Sequence, residues 1–188
     1  MLFRSFLLIF LMVVAIAGVR AQGQERKPAD SMLTVQAPLF KMKDMNGKVA
    51  SLSDYKGKVV VLMFWSTWCQ PCHLDFPSVN NVIKDYAGDT SVVFLFIDTR
   101  EKASNYRELV QEDLRSHHYD FNVLFDEMGP DGMQSKYYTA YGMIGIPTKF
   151  IIDRNGIIRY QLIGYNSKMK NEEAAITLQQ LIRKVKAV

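Results

Sequence analysis

Cysteine is the scarcest reactive residue in this chain of 188 residues: there are two, Cys69 and Cys72. So small a number excludes a disulfide-stapled scaffold, which needs several bridges between distant positions. A single bridge across two intervening residues closes almost no loop and has little value as a staple. Histidine is scarce as well, at three. Cys69, Cys72 and His73 leave a structural zinc site one ligand short, so no metal is expected. His117-His118 stand at the end of a polar helical stretch, where dipole contact or solvation accounts for them. After the first twenty residues no apolar run is long enough to span a membrane, and repeats and low-complexity tracts are missing throughout. The net charge is only +4, and the basic residues are scattered. Without a Lys/Arg stripe carrying interleaved aromatics, nucleic acid is not expected as a partner.

What is present begins at the N-terminus. Arg4 supplies a positive charge, and an apolar run from Phe6 to Val19 follows it. The run is shorter than the roughly 20 residues of a spanning helix, and Val19-Arg20-Ala21 offers a cleavage site with Gln22 as the new first residue. Residues 1–21 therefore read as a signal peptide, with an uncleaved N-terminal anchor as the alternative; only the anchor would tie the protein to a membrane. Residues 22–31, with Gln24-Glu25-Arg26-Lys27-Pro28, hold too little apolar content to join a core and read as a linker. Residues 32–188 suit one domain. An exported chain meets an oxidising compartment, the bacterial periplasm or the outer face of the membrane.

Within the domain, Lys58 to Trp65 (KVVVLMFW) has the continuous apolar, β-branched and aromatic content of a strand buried on both faces. From Gln70 to Tyr86 the pattern turns helical, with Leu74, Val79, Val82, Ile83 and Tyr86 on one side. Pro71 falls near the first helical position, where a missing N–H costs nothing, and Pro77 inside the helix is expected to kink it. Ser91 to Ile97 is a second buried strand. Asn105 to Ser116 is a charged helix with Tyr106, Leu109, Val110 and Leu114 inward. A short strand at 122–125 and a loop at 128–132 lead to a helix over Met133 to Ala140. Thr148 to Ile152 and Ile157 to Ile163 form a hairpin through Asp153-Arg154-Asn155-Gly156, where the Asn-Gly pair is expected to take positive φ angles. The last helix, Asn171 to Lys186, turns Leu178, Leu181, Ile182 and Val185 to the core, with Glu172 and Glu173 at its positive end and Arg183, Lys184 and Lys186 at its negative end. Helical crossovers with a closing hairpin give an α/β fold with a central mixed sheet flanked by helices.

The two cysteines lie in Trp68-Cys69-Gln70-Pro71-Cys72, where a buried strand hands over to a helix. Unsatisfied N–H groups and the positive end of the helix dipole favour a thiolate at the first position. Cys69 is therefore expected to attack a disulfide and Cys72, one turn in, to resolve the mixed disulfide.

This arrangement resembles the thioredoxin superfamily, and specifically the extracytoplasmic TlpA/ResA-type proteins. The resemblance is carried by Ala37-Pro38-Leu39-Phe40, by Asp44 to Lys58, and by VVVLMFWSTWCQPC with Pro77. It continues through Tyr141-Gly142, Ile146-Pro147-Thr148 and Phe150 to Gly156, so that it spans residues 37–165. It implies a thioredoxin fold with the N-terminal extension of that group. It further implies a cis Ile146-Pro147 bond facing the active site and a docking surface formed by Trp68, Ile146 and Pro147. The implied activity is thiol–disulfide exchange without a cofactor, running as reduction of disulfides in exported proteins and fed by an upstream membrane thiol donor. Apocytochrome c, with its own CxxCH pair, is among the clients the resemblance admits. One departure concerns proton transfer: where thioredoxins proper bury an acid in the strand before the motif, this chain has Met63. Asp75, Asp98 and Glu101 are the nearest acidic candidates, each reading more readily as a solvated charge.

Other readings compete. Cys69-Gln70-Pro71-Cys72-His73 matches the covalent haem signature literally, with His73 and Met128 or Met133 as iron ligands. A buried strand running straight into the motif leaves no room for haem, and His73 reads as an exposed helical residue. A peroxidase related to the peroxiredoxins would share Ala37-Pro38-Leu39-Phe40 but place its reactive cysteine elsewhere. An oxidase or isomerase of the same fold, or a binding module that does no chemistry, remains the alternative to a reductant.

Overall fold

The computed structural model describes residues 32–130 and 132–188; the leader assigned to residues 1–21 and the linker at 22–31 lie outside them. The first long strand of the domain runs from Val59 to Trp65, and all seven of its residues are buried. That burial on both faces is what its unbroken apolar sequence requires. It is the fourth of eight strands among the described residues. Before it come β1 (Val35–Gln36), β2 (Lys41–Asp44) and β3 (Val49–Ser51), then a 3-10 turn at Leu52–Tyr55. After it come α1 (Gln70–Asp85), β5 (Val92–Asp98), α2 (Tyr106–Ser116), β6 (Val123–Phe125) and α3 (Lys136–Ala140). The hairpin β7 (Thr148–Ile152) and β8 (Ile157–Ile163) precedes the closing helix α4 (Asn171–Lys186).

The strands form one mixed sheet in the order β1-β8-β7-β4-β5-β6-β2-β3. β4 is parallel to β5, with Trp65 beside Asp98, and antiparallel to β7, with Met63 opposite Lys149 and Phe64 opposite Thr148. Alternation along β4 divides the core into two layers. Val59, Val61, Met63 and Trp65 face Phe76, Val79 and Val82 of α1 and Leu178, Leu181, Ile182 and Val185 of α4. Val60, Leu62 and Phe64 face the other way, onto Phe40, Leu52, Tyr137 and Tyr141. The fold is that of thioredoxin, widened by N-terminal strands on both edges.

Several local expectations change. Leu74 and Leu109 are exposed, and the buried face of α1 is instead built on Cys72, Asp75, Phe76, Ser78, Val79 and Val82. Phe76 sets this orientation, because its ring meets Trp65, Phe96, Tyr119 and Phe121 at centroid distances between 5.1 and 6.0 Å. The β7–β8 turn uses one positive φ angle, at Gly156 (81°), rather than two. Asp153 takes over the work of a second one, its Oδ1 accepting the N–H groups of Asn155 and Ile157, both at 2.9 Å. The helix expected from Met133 begins only at Lys136, because Gln134 pairs with Met128 in an isolated bridge. Short strands β1, β2 and β3 have no counterpart in the hydrophobic pattern, since Val35, Gln36, Lys41 and Lys43 are exposed.

Candidate active site

The site begins where β4 ends. Thr99 donates its N–H to the Trp65 carbonyl at 3.0 Å, and the Ser66 hydroxyl donates to the Thr99 carbonyl, so the segment leaving β4 is held against the one leaving β5. The chain then turns, with the Cys69 N–H on the Ser66 carbonyl at 3.1 Å. Cys69 caps α1: its carbonyl accepts the N–H groups of Cys72 and His73, and its Sγ accepts the Cys72 N–H at 3.2 Å. Pro71 occupies the first turn, where no donor is needed. Cys69 and Cys72 are joined by a disulfide with a Cα–Cα separation of 5.3 Å, and both are buried.

Pairing of β7 with β4 brings a second loop to this end of the sheet. Phe64 lies opposite Thr148, so Ile146-Pro147 lies alongside the exit of β4, and the bond between these two residues is cis. Ile146 is half-buried and touches both core layers, while the Pro147 carbonyl accepts the Gly164 N–H at 2.7 Å. Trp68, 46% exposed, stands at the surface, its indole N–H on the Arg100 carbonyl at 3.1 Å and the Lys102 ammonium 4.8 Å from its ring. Arg100 holds a φ of 56°, a conformation few side chains adopt, and this aims its carbonyl at the indole.

None of the three acidic candidates is a freely solvated charge. Asp75, one helical turn beyond Cys72 and therefore on the same face, is buried and ion-paired to Lys149 of β7. Lys149 is itself buried and lies opposite Met63, so it points to the α1 face of the sheet. Asp98 is fully buried at the end of β5. Burial holds its carboxyl well above the usual carboxylate range; the Gln134 amide, at 3.0 Å from Oδ2, opposes this, and the carboxylate charges of Glu101 and Asp126 add to it. Oδ1 of Asp98 meets no donor among the described residues, which suits a protonated acid facing the Glu101 carboxylate. Glu101 in turn accepts the Thr67 N–H at 2.5 Å and the Thr67 hydroxyl at 3.0 Å, two residues before Cys69. Gln134 joins the two acids, its Nε2 donating to Asp98 and its Oε1 accepting the Glu101 N–H at 3.1 Å, so hydrogen bonds run from Asp98 through Gln134 and Glu101 to Thr67 of the cysteine loop.

His73 is also placed differently from its sequence reading. It is half-buried, with Nδ1 2.9 Å from the Cys69 carbonyl and Nε2 3.0 Å from Asp113 of α2. Both ring nitrogens are therefore engaged, and neither faces Met128 or Met133, which lie on the loop before α3. His117, at the end of α2, hydrogen-bonds the Asp113 carbonyl at 2.8 Å. Among the described residues, no group of three or more His, Cys, Asp or Glu side chains is arranged to hold a metal ion. The signals missed in the sequence are Lys149, Asp113 and Gln134. Only Lys149, a charge inside the otherwise apolar strand TKFII, stands out against its neighbours.

The strand order and the dithiol at the head of α1 put the protein in one class, the thioredoxin-fold thiol–disulfide oxidoreductases. Within that class the chain belongs to the AhpC/TSA family, whose profile matches residues 33–161. It is 32% identical over 174 residues to the thiol-disulfide oxidoreductase ResA of Bacillus thuringiensis subsp. konkukian, covering 92% of this chain and 93% of that protein. It is 29% identical over 167 residues to the thioredoxin-like protein YneN of Bacillus subtilis, covering 88% and 92%. A crystal structure of a Chlorobium tepidum protein assigned as the thiol:disulfide interchange protein DsbE superposes with a TM-score of 0.63. That protein is 31% identical, and the match spans 81% of this chain and 96% of it.

Proposed function

We propose that the protein reduces disulfides in exported proteins, with Cys69 as attacking thiol and Cys72 as resolving thiol. The observation that carries this reading is the position of the Cys69–Cys72 disulfide at the head of α1, where the Cys69 Sγ already accepts the Cys72 N–H at 3.2 Å. The same N–H would stabilise a thiolate there once the pair is reduced. The Cys69 thiolate attacks one sulfur of the client disulfide; that bond breaks, and the other client sulfur leaves and takes up a proton. Cys72, deprotonated in its turn, attacks Cys69 Sγ of the mixed disulfide and releases the second client thiol. Two electrons pass to the client, and the protein is left with its Cys69–Cys72 bond. A membrane dithiol donor then restores the reduced pair, since the compartment outside the cytosol supplies no reducing pool.

Trp68, Ile146 and Pro147 form the docking surface in this reading: Trp68 is exposed, Ile146 is half-buried and Pro147 is buried beside it. Proline has no N–H to leave unpaired when a client segment lies against it. The Asp75–Lys149 pair supplies the proton path that Met63 does not: Asp75 accepts the Cys72 proton, and Lys149 keeps the carboxylate compensated while buried. Residues 1–21 act as an export signal, with residues 22–31 as the link to the domain at 32–188. Among the described residues no helix is long and apolar enough to cross a membrane.

Replacing Cys72 with Ser and expressing the variant in a bacterial envelope tests the assignment. Clients should accumulate as mixed disulfides on Cys69; a domain that still binds partners with both cysteines removed would overturn it. The direction is read from the reduction potential. A value near about −270 mV, as in thioredoxin, supports a reductant, and one near about −120 mV, as in the oxidant DsbA, makes the protein an oxidase.

A further inference from the structure

The residue after the CxxC pair is bound at both ring nitrogens. His73 Nδ1 lies 2.9 Å from the Cys69 carbonyl, and Nε2 lies 3.0 and 3.1 Å from the two oxygens of Asp113. A carbonyl and a carboxylate can only accept hydrogen bonds. A neutral imidazole has one N–H and would leave one of these contacts without a proton, whereas an imidazolium satisfies both. The side chains of His73 and Asp113 are 23% and 15% exposed, so their contact is partly shielded from water and salt. Asp113 belongs to α2 and is brought here only by tertiary packing.

We infer that His73, held as an imidazolium between the Cys69 carbonyl and the Asp113 carboxylate, is a positioning residue of dithiol exchange that favours the Cys69 thiolate and makes the redox poise of the pair depend on pH. The inference rests on Cys69 being the attacking thiol. The orientation of the ion pair gives it an effect even though its two charges cancel at a distance. The ring contacts the Cys69 carbonyl and the carboxylate lies on its far nitrogen, so the positive end of the pair is the one nearer Cys69, adding to the positive end of the α1 dipole. A cation beside a cysteine lowers the cost of its thiolate, and a stabilised thiolate draws the equilibrium towards the dithiol form.

The groups around His73 come from four segments. Its own helix contributes the Cys69 carbonyl and the ring of Phe76, and β4 contributes the indole of Trp65, 6.2 Å away. Helix α2 contributes Asp113 and His117, whose ring is 5.6 Å from that of His73 and whose Nδ1 is 3.3 Å from Asp113. Tyr119, just after α2, stacks on His117. Asp113 is the one carboxylate in this set, and its hydrogen bond is the main reason that the His73 ring holds its proton above the usual imidazole range, against the opposing effect of burial. As pH rises through the raised His73 value the ring becomes neutral, and its support for the thiolate is lost.

The test titrates Cys69 in the reduced protein by its rate of alkylation, site-assigned by mass spectrometry, from pH 4 to 9. It uses the wild type and the variants His73→Gln, His73→Lys and Asp113→Asn, and the glutathione equilibrium of each is measured over the same range. His73→Gln is expected to lower the thiolate fraction at neutral pH by about three- to tenfold and to shift the equilibrium towards the disulfide by a similar factor. A tenfold shift corresponds to about 30 mV for a two-electron couple. His73→Lys keeps a charge that does not titrate in this range, so it should retain the neutral-pH poise and lose the inflection. Asp113→Asn should move the inflection to lower pH. Should Asp113→Asn fail to fold, the two His73 variants decide the matter. Wild-type behaviour in His73→Gln, or a His73→Lys variant that behaves like His73→Gln, overturns the inference. The alkylation reads Cys69 directly, so the result stands apart from any failure to reduce clients, which would count against the proposed function alone.

Discussion

Asp75 and Lys149, 74 residues apart in the sequence, form a buried ion pair that ties helix α1 to strand β7 one turn beyond Cys72. The Ser78 hydroxyl adds a hydrogen bond to Asp75 Oδ1 at 3.0 Å. Removing two charges from water is expensive, and their attraction offsets that cost only while both are present. Asp75→Leu and Lys149→Met are each expected to destabilise the protein by about 3–5 kcal/mol, since each strands the other charge. The double variant should recover most of that loss, which urea unfolding of all four proteins would show as a strong coupling energy. If the pair also serves Cys72, the double variant will fold but resolve mixed disulfides slowly. Normal resolution in a stable double variant would remove the proton-path assignment.

The buried acid at the end of β5 makes a different prediction. Burial raises the Asp98 carboxyl well above its ordinary value of 3.8, so the folded protein keeps a proton that the unfolded chain has released. The folded state then binds more protons than the unfolded state, and stability falls as pH rises from about 4 towards the raised value. Asp98→Asn replaces the acid by a neutral amide that can accept from Gln134 and donate to Glu101. It should stabilise the protein at neutral pH by about 1 kcal/mol or more and flatten the dependence of Tm on pH. An unchanged slope would show that Asp98 does not titrate in this window.

Glu101 connects that acid to the cysteine loop through both the N–H and the hydroxyl of Thr67. Glu101→Ala leaves the half-buried Thr67 N–H without its acceptor, at a cost of about 1–3 kcal/mol. Hydrogen exchange at Thr67, Trp68 and Cys69 is expected to speed up, while exchange in α4 stays the same. Equal acceleration in both places would mean that the carboxylate supports the fold as a whole and not this loop.

Phe76 and Leu74 separate helix periodicity from actual burial. Phe76 is fully buried among Trp65, Phe96 and Phe121, and Phe76→Ala should cost about 3–5 kcal/mol. Leu74 is 49% exposed, and Leu74→Ala should change stability by about 0.5 kcal/mol or less. Thermal melts of the two variants give the comparison directly; a large loss for Leu74→Ala would place the inward face of α1 one position away.

Much of the fold was legible because it rests on local regularities. The apolar run at 59–65, the helix opened by Pro71 and the closing helix at 171–186 each carry their own periodicity and end signals. The strands at 35–36, 41–44 and 49–51 are too short to carry a periodicity: they lie towards the edges of the sheet, and Met42 alone among their residues is buried.

The sequence by itself determined the dithiol: two cysteines at the head of a helix, after a strand that had to be buried; Ile146-Pro147, just ahead of β7, was expected beside it from the family resemblance. Only the tertiary structure decided the electrostatics around that dithiol. Lys149 meets Asp75, Asp113 meets His73, and Gln134 meets Asp98, across separations that no helical or strand period spans. A charged residue carries no local mark of whether water or an opposite charge will surround it. Its surroundings are set by which distant elements pack together, and so the solvated acids of the sequence reading became the buried, partnered acids of the site.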